Sequence, residues 1–140
     1  MDALAKLVVW ESALQDMRQE VARWAPEEAC GLAAGRPGLV EQIYPVANRL
    51  HSSTRFEMDP LEQLRAFQEI EAAGLELVAI YHSHPLGPPN PSPTDLAEFA
   101  YPGVIYLIWM PESDAALDGW EMRGYDLDRN STREIPVDIR

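Results

Sequence analysis

The sequence has one cysteine, few basic residues and no long apolar run. A single cysteine, Cys30, excludes an internal disulfide framework and is compatible with a reducing compartment. No apolar run approaches the roughly 18 residues of a membrane span. The first residues, MDALAKLVVWES, carry an early acidic residue and only a short apolar stretch, unlike a signal or transit peptide. We therefore expect a cytoplasmic protein.

The shortage of basic residues argues against a nucleic-acid partner. Eleven Lys and Arg are scattered among 23 Asp and Glu, which gives a formal net charge of −12. Phosphate binding needs clustered basic side chains. The acidic surface has two interpretations, a solvated surface that aids solubility or a surface that favours a basic partner. The length of 140 residues predicts one domain, 1–140.

The apolar pattern predicts strands and helices in mixed order. Glu11–Trp24 has apolar residues at helical spacing, and Asp59 and Pro60 have the residue types of an N-cap and first turn. The second helix is predicted to bury Leu61, Leu64, Phe67 and Ile70. This order favours an α+β or mixed α/β fold, with a central sheet and helices packed against it. Strands are predicted at 7–10, 28–35, 39–46, 75–81 and 104–110, late antiparallel strands at 119–127 and 134–139, and helices at 11–24, 59–74 and 92–99.

The stretch YHSHPLGPPNPSPTDLAEF contains the strongest chemical signal. His82 and His84 follow an apolar strand, where residues two apart point to the same face. Neutral imidazole is a common metal ligand, and catalytic zinc takes three protein ligands and a water. Asp95 is a candidate third ligand. The pattern alone leaves open whether this is a metal site or a rigid loop with incidental histidines.

The end of the same stretch also has the residues of a helix start. Ser92 is predicted to be the N-cap, Pro93 the first helical residue, and Asp95 the partner in a capping box. This structural interpretation does not exclude metal binding, because a helix start would hold the Asp95 carboxylate in a fixed position. The prolines before it reduce the freedom of the unfolded chain.

A hydrolytic metal site also needs a base to take the proton of water. Glu27 and Glu28 stand at the head of the small-residue strand, where a charged group is unusual without a role or partner. The composition leaves the choice between the two glutamates open.

These motifs identify a family resemblance. PEEACGLAAG, then YHSHP, six residues and Ser-Pro-Thr-Asp, resembles the signature of the JAMM (MPN+) zinc metalloproteases, in their compact standalone bacterial type. NRLHSSTRFEMDP is also similar to the matching segment of small bacterial members, with Asn48, Phe56 and Asp59-Pro60 in register. The resemblance implies a cytidine-deaminase-like MPN fold, a curved mixed β-sheet flanked by helices.

The resemblance also implies a role for each residue of the site. His82, His84 and Asp95 would bind one zinc ion, Glu28 would be the general acid/base, and Ser92 would donate a hydrogen bond to the oxyanion. The reaction would be hydrolysis of an amide or isopeptide bond without a covalent intermediate. Glu27 would then face elsewhere. Cys30 lies among small residues and is expected to be a buried apolar residue, not a nucleophile.

The implied substrate is a ubiquitin-fold sulfur-carrier protein with a Gly-Gly C-terminus. Cleavage could free a lysine linkage or release a C-terminal cysteine. The carrier's tail could add a strand along Asn48–Met58, although that segment could equally be an ordinary loop and edge strand. Three alternatives are a zinc peptidase for small peptides, a catalytically silent MPN scaffold and a structural zinc site. The last lacks a fourth ligand, because His51 lies in a polar segment and is expected to be exposed.

Overall fold

A single eight-stranded sheet with helices on both faces organises the chain. The computed structural model describes residues 4–88, 90–98, 101, 103–112, 119–128 and 131–140. Within these ranges no helix has the length and apolarity needed to cross a membrane. The elements are β1 (Leu7–Val9), α1 (Glu11–Trp24), β2 (Cys30–Arg36), β3 (Leu39–Val46), α2 (Pro60–Ala72), β4 (Glu76–Ser83), α3 (Pro93–Glu98), β5 (Ile105–Pro111), β6 (Trp120–Asp128), β7 (Ser131–Ile135) and β8 (Val137–Ile139).

The sheet is mixed and strongly curved. Its strand order is β7-β6-β5-β4-β2-β3-β1-β8. Strand β1 is parallel to β3 and β8, and β4 is parallel to β5, whereas the remaining neighbours are antiparallel. The two outermost strands are joined through Pro136 alone, and a Cβ at Gly124 would lie 3.0 Å from Val137 Cγ2. The ends of the sheet therefore curl toward each other, which confirms the predicted α+β fold with a curved mixed sheet.

The prediction of one antiparallel strand over 134–139 is wrong. Pro136 divides that segment into β7, which is antiparallel to β6, and β8, which is parallel to β1. Proline lacks a backbone N–H and fixes φ, so it interrupts a ladder. The Pro136 carbonyl accepts a hydrogen bond from Leu7 N (3.0 Å), which starts the pairing with β1.

Helices α1 and α2 cover opposite faces of the sheet. Helix α1 buries Ala13, Met17 and Val21 in one apolar cluster, and α2 buries Ala66 and Ile70 in the other. Strand β2 lies in the middle of the sheet, and all of its residues except the last, Arg36, are buried.

Close packing explains the small residues of β2. A Cβ at Gly31 would overlap the ring of Tyr81, and a Cβ at Gly35 would overlap the carbonyl of Leu39. The strand predicted over 28–35 is confirmed as a buried strand of small residues, although it begins at Cys30 and leaves Glu28 before it.

The prediction that Leu61 and Leu64 belong to the buried side of α2 is wrong. These side chains are 55% and 54% exposed, while Ile70 is 4% exposed and Phe67 is partly buried. A spacing of three residues falls short of the helical turn of 3.6 by about 60° at each step. After three steps Leu61 lies on the side of the helix opposite to Ile70.

The predicted helix starts are confirmed. Asp59 Oδ1 accepts hydrogen bonds from Leu61 N (3.1 Å) and Glu62 N (3.0 Å), with Pro60 in the first turn. Helix α3 spans Pro93–Glu98, and Phe99, which the prediction included, lies outside the described residues.

Candidate metal centre

The end of strand β4 carries the two histidines of the site, His82 in the strand and His84 directly after it. Ile80 lies in the apolar cluster under α2, and His82, two residues further on, points to the same side of the sheet. His84 follows the strand, and its N–H donates to the Trp109 carbonyl (2.7 Å). The Nε2 atoms of His82 and His84 are 3.0 Å apart, and the residues are 1% and 4% exposed. The predicted alignment of the two imidazoles is confirmed.

The Asp95 carboxylate joins the two imidazoles. Its Oδ1 is 3.2 Å from His82 Nε2, and its Oδ2 is 3.0 Å from His84 Nε2. The first turn of α3 holds it there through a reciprocal pair of hydrogen bonds. Ser92 N donates to Asp95 Oδ2 (2.8 Å), and Asp95 N donates to Ser92 Oγ (3.0 Å). The predicted capping box therefore fixes the carboxylate that faces the histidines.

Of Glu27 and Glu28, only Glu28 lies beside the cluster formed by His82, His84 and Asp95. Glu28 is 4% exposed, and one carboxylate oxygen lies within 4.8 Å of a ring nitrogen of each of His82 and His84. Glu27 Oε1 instead contacts Nδ1 of the exposed His51 (3.0 Å). The two glutamates that the sequence left as alternatives therefore lie in different places, Glu28 beside the histidines and Glu27 away from them.

Burial and mutual contact shift the pKa values of these groups in different directions. Burial lowers the pKa of His82, and its hydrogen bond to Asp95 offsets only part of this. Burial also opposes the charge of His84, but hydrogen bonds to Asp95 and the Pro88 carbonyl raise its pKa. Burial raises the pKa of Glu28 to about 7. Asp95 is buried as well, but hydrogen bonds from both histidines hold its pKa well below the usual range.

The cluster can hold a metal ion. Nitrogen and carboxylate oxygen atoms from separate elements meet at one buried point, and the cluster of Glu28, His82 and His84 has donor atoms of the types that bind divalent metals. The Nε2 atoms of His82 and His84 contact each other (3.0 Å), and each contacts one oxygen of the Asp95 carboxylate (3.2 and 3.0 Å). These atoms are close enough together to bind one cation.

A cavity of about 270 Å³ opens beside the cluster. His82 and Asp95 line it, and the segment 54–58 forms one wall. Phe56 in that wall stacks on the His82 ring, with centroids 4.5 Å apart and an interplanar angle of 27°. The cavity is also lined by Pro60, Gln63, Tyr101 and Tyr106.

Ser83 is a residue of the site that the sequence reasoning missed. Its Oγ accepts a hydrogen bond from Ala29 N (2.8 Å), and its own N–H donates to the Ala29 carbonyl (3.0 Å). These bonds tie the residue after Glu28 to the strand of the histidines. The available signal was a small polar residue between two histidines within an otherwise apolar strand.

Cys30 is buried, and its thiol is hydrogen-bonded. It is 3% exposed, and its Sγ donates to the Val46 carbonyl (3.3 Å). Burial raises the pKa of its thiol to about 12, with smaller contributions from Glu28 and Glu62. A thiol that stays protonated is a poor nucleophile, as the sequence predicted.

A buried imidazole pair beside two carboxylates, at a strand end of a curved mixed sheet, is the arrangement of a JAMM-type hydrolase. Residues 11–122 match the family described as prokaryotic homologs of the JAB domain, and the chain belongs to that family.

Relatives of the chain carry names that describe cleavage of protein conjugates. A probable TtuB-protein conjugate cleaving protease of Thermus thermophilus is 44% identical over 74% of this chain and 69% of its own length. A desampylase of Haloferax volcanii is 35% identical over 79% of this chain and 81% of its own length. A CysO-cysteine peptidase of Mycobacterium tuberculosis is 31% identical over 95% of this chain and 90% of its own length.

Solved structures share the fold. The solution structure of a Desulfitobacterium hafniense protein superposes with a TM-score of 0.84 at 28% identity, over 96% of this chain and 92% of that one. A JAB1/MPN domain protein from Archaeoglobus fulgidus gives a TM-score of 0.59 at 15% identity, over 98% of this chain and 100% of that one.

Proposed function

We propose that His82, His84 and Asp95 bind one Zn²⁺ per chain. For zinc bonds of about 2.0–2.1 Å, tetrahedral ligand atoms lie about 3.3 Å apart. The three separations here are 3.0, 3.0 and 3.2 Å, close to that value. Three protein ligands are the number used by catalytic zinc sites. When bound, zinc polarises the scissile carbonyl and makes water a stronger acid.

Glu28 is the proposed general acid/base. It takes a proton from the attacking water and later gives it to the leaving amine. A group with a pKa near the working pH can do both, and burial raises the pKa of Glu28 to about 7. Its carboxylate also lies within 4.8 Å of both imidazoles, so it faces the point where the reaction takes place.

Ser92 is the proposed donor to the oxyanion. Its Oγ accepts the N–H of Asp95, and this bond leaves the hydroxyl proton available. A hydroxyl fixed at the helix start can direct that proton toward the negative charge of the tetrahedral intermediate.

The proposed substrate is the Gly-Gly tail of a ubiquitin-fold sulfur-carrier protein. The observation that carries this proposal is that His82 and Asp95 line the same cavity as the segment 54–58. A tail lying along 54–58 would bring its last residues to His82 and Asp95, and glycines have no side chain to clash with Phe56 there. The relatives named for conjugate cleavage and for cysteine release support the two linkages proposed, to lysine or to cysteine. We also propose that residues 1–140 form one domain that acts in the cytoplasm, and the free thiol is compatible with a reducing compartment.

A cleavage assay with metal analysis tests this function. The zinc-loaded protein is given a Gly-Gly-tailed carrier linked to a lysine side chain, the same carrier ending in cysteine, and short peptides. Cleavage after Gly-Gly, with one zinc per chain, is the expected result. Cleavage of short peptides alone would favour a small-peptide peptidase. A zinc-loaded protein that cleaves nothing would be a silent scaffold.

A further inference from the structure

The side chain of Asn48 uses its full hydrogen-bonding capacity beside the site. It is 8% exposed. Its Nδ2 donates to the carbonyls of Glu28 and Arg55, both at 3.1 Å. Its Oδ1 accepts from Leu50 N and Glu57 N, both at 3.1 Å. A carboxamide has two N–H donors and two acceptor lone pairs, so all four positions are occupied.

Two of these bonds hold the residues on either side of Phe56. Arg55 is bound through its carbonyl and Glu57 through its N–H, so the backbone around Phe56 is fixed from both sides. The ring between them stacks on His82. A metal-binding histidine ordinarily donates its second ring N–H to a protein group, which sets the ring's orientation. Within the described ranges His82 Nδ1 has no such partner, so the face of Phe56 fixes this ring instead.

A third bond holds the main chain of Glu28. Its carbonyl accepts from Asn48, and its N–H donates to the Ser52 carbonyl (2.8 Å). The segment from Asn48 to Ser52 therefore fixes the peptide groups on both sides of the Glu28 side chain.

We propose that Asn48 is a positioning residue. Its hydrogen bonds to the backbone fix Glu28 directly and His82 through Phe56, and so set the position of these two side chains relative to each other. The roles of Glu28 and His82 in this inference rest on the proposed function. Asn48 touches neither the reacting atoms nor the cavity, and acts only through the backbone. A displacement of about 1 Å at a reacting group can reduce the rate about a hundredfold, so a backbone clamp of this kind affects turnover.

Variants of Asn48 test the clamp against a matched control. Asn48→Ala is expected to lower kcat about tenfold to a hundredfold. It is also expected to weaken zinc binding about tenfold, as loss of a group that orients a ligand does. Asp59→Ala is the control, because it removes two side-chain hydrogen bonds in the neighbouring helix start without touching Glu28 or Phe56. It should leave kcat and zinc affinity within about twofold of wild type, since the clamp is intact. Equal losses in both variants would overturn the proposal.

The clamp has two arms, one from Asn48 to the Glu28 main chain and one from Asn48 through Phe56 to His82. Phe56→Leu removes the contact in the second arm and keeps all four Asn48 hydrogen bonds, which are made with backbone groups. It should weaken zinc binding, because the flat partner of His82 is lost, and leave the Glu28 main chain unchanged. Unchanged zinc affinity in this variant would overturn the arm through Phe56.

A double-variant cycle tests the arm through Glu28. In a Glu28→Gln background, Asn48→Ala should reduce the residual kcat less than in wild type, because the part of its effect that runs through the Glu28 carboxylate is already lost. Full additivity of the two losses would overturn this arm.

Hydrogen–deuterium exchange gives a readout that needs no substrate. In Asn48→Ala the amides of Leu50 and Glu57 lose their acceptor, and the Glu28 amide is expected to exchange at least tenfold faster as its clamp opens. If wild type cleaves no carrier, the proposed function fails, while exchange and zinc affinity still decide the role of Asn48. Unchanged Glu28 exchange together with unchanged zinc affinity would overturn it.

Discussion

Glu27 and Glu28 are adjacent in the chain, yet their carboxylates lie in different surroundings. Glu28 is buried against the two histidines, and Glu27 pairs with His51 on the surface. Glu28→Gln is therefore expected to lower kcat about 10²–10⁴-fold with zinc retained, because the acid/base is lost. Glu27→Gln, the matched control, should turn over like wild type. Steady-state assays with metal analysis compare them, and a fully active Glu28→Gln would refute the assignment of the base.

The raised pKa of Glu28 predicts a pH-dependent stability of the metal-free protein. The pKa rises from 4.5 in the unfolded chain to about 7 in the folded one. The folded state thus binds more protons between these values, and stability falls as pH rises through this window. Above about pH 7 the full cost, about 3 kcal/mol at most, is present.

Glu28→Gln removes this cost. Urea unfolding in a chelator should show the variant to be the more stable at pH 8, with the difference vanishing near pH 4. Glu27→Gln, which changes a partly exposed side chain that lies away from the histidines, is the control. A difference between wild type and Glu28→Gln that does not change with pH would contradict the prediction.

His84→Ala is expected to abolish both zinc binding and activity. The substitution removes a ring nitrogen 3.0 Å from His82 and from Asp95, and so leaves two of the three proposed ligands. Zinc content after dialysis and carrier cleavage measure the two losses. His51→Ala, which changes an exposed histidine, serves as the control. One zinc per chain retained in His84→Ala would refute the ligand set.

Ser92→Ala should keep the metal and slow turnover. Loss of one oxyanion donor costs about 2.7–4 kcal/mol of transition-state stabilisation, or about 10²–10³ in kcat. The helix start also loses the Asp95 N–H bond, but Ser92 N still donates to the Asp95 carboxylate. Zinc content and kcat measured on the same sample separate the effects. Loss of zinc together with rate would mean that the hydroxyl serves mainly to hold Asp95.

The two sides of α2 predict opposite effects of truncation. Ile70→Ala should lower the free energy of unfolding by about 2–5 kcal/mol, because the side chain is buried and a cavity remains. Leu61→Ala changes a side chain that is 55% exposed and should cost less than about 1 kcal/mol. Denaturant unfolding of both variants gives the comparison, and equal losses would contradict the observed orientation of the helix.

The sequence predicted the parts of the fold and site that depend on local order. The alternation of a strand aligned His82 with His84, and the helix start fixed Asp95 beside Ser92, because both patterns act over a few residues. Composition could not distinguish Glu27 from Glu28. The difference is which of the two side chains lies beside His82 and His84 in the folded protein, and these histidines are more than 50 residues away in the sequence.

The two errors have different physical origins. Leu61 and Leu64 are apolar, but a spacing of three residues carries them around α2, away from the side that packs on the sheet. The segment 134–139 alternates like one strand, but Pro136 turns its second half toward β1. The clamp at Asn48 could not be predicted from local order, because one of its four hydrogen bonds reaches a residue 20 positions away.

The short connection between β7 and β8 bears on how the chain folds. Val137 pairs with Leu7, so this ladder joins segments separated by nearly the whole sequence. Contacts of such long range close large loops. The chain loses the entropy of loop closure before the new contacts stabilise it, and this slows folding. The hairpin-like pairs β2–β3 and β5–β6 join near neighbours and can form first. We therefore expect closure by β8 to be a late step in folding, and β4, which carries His82, to pair with its neighbours before it.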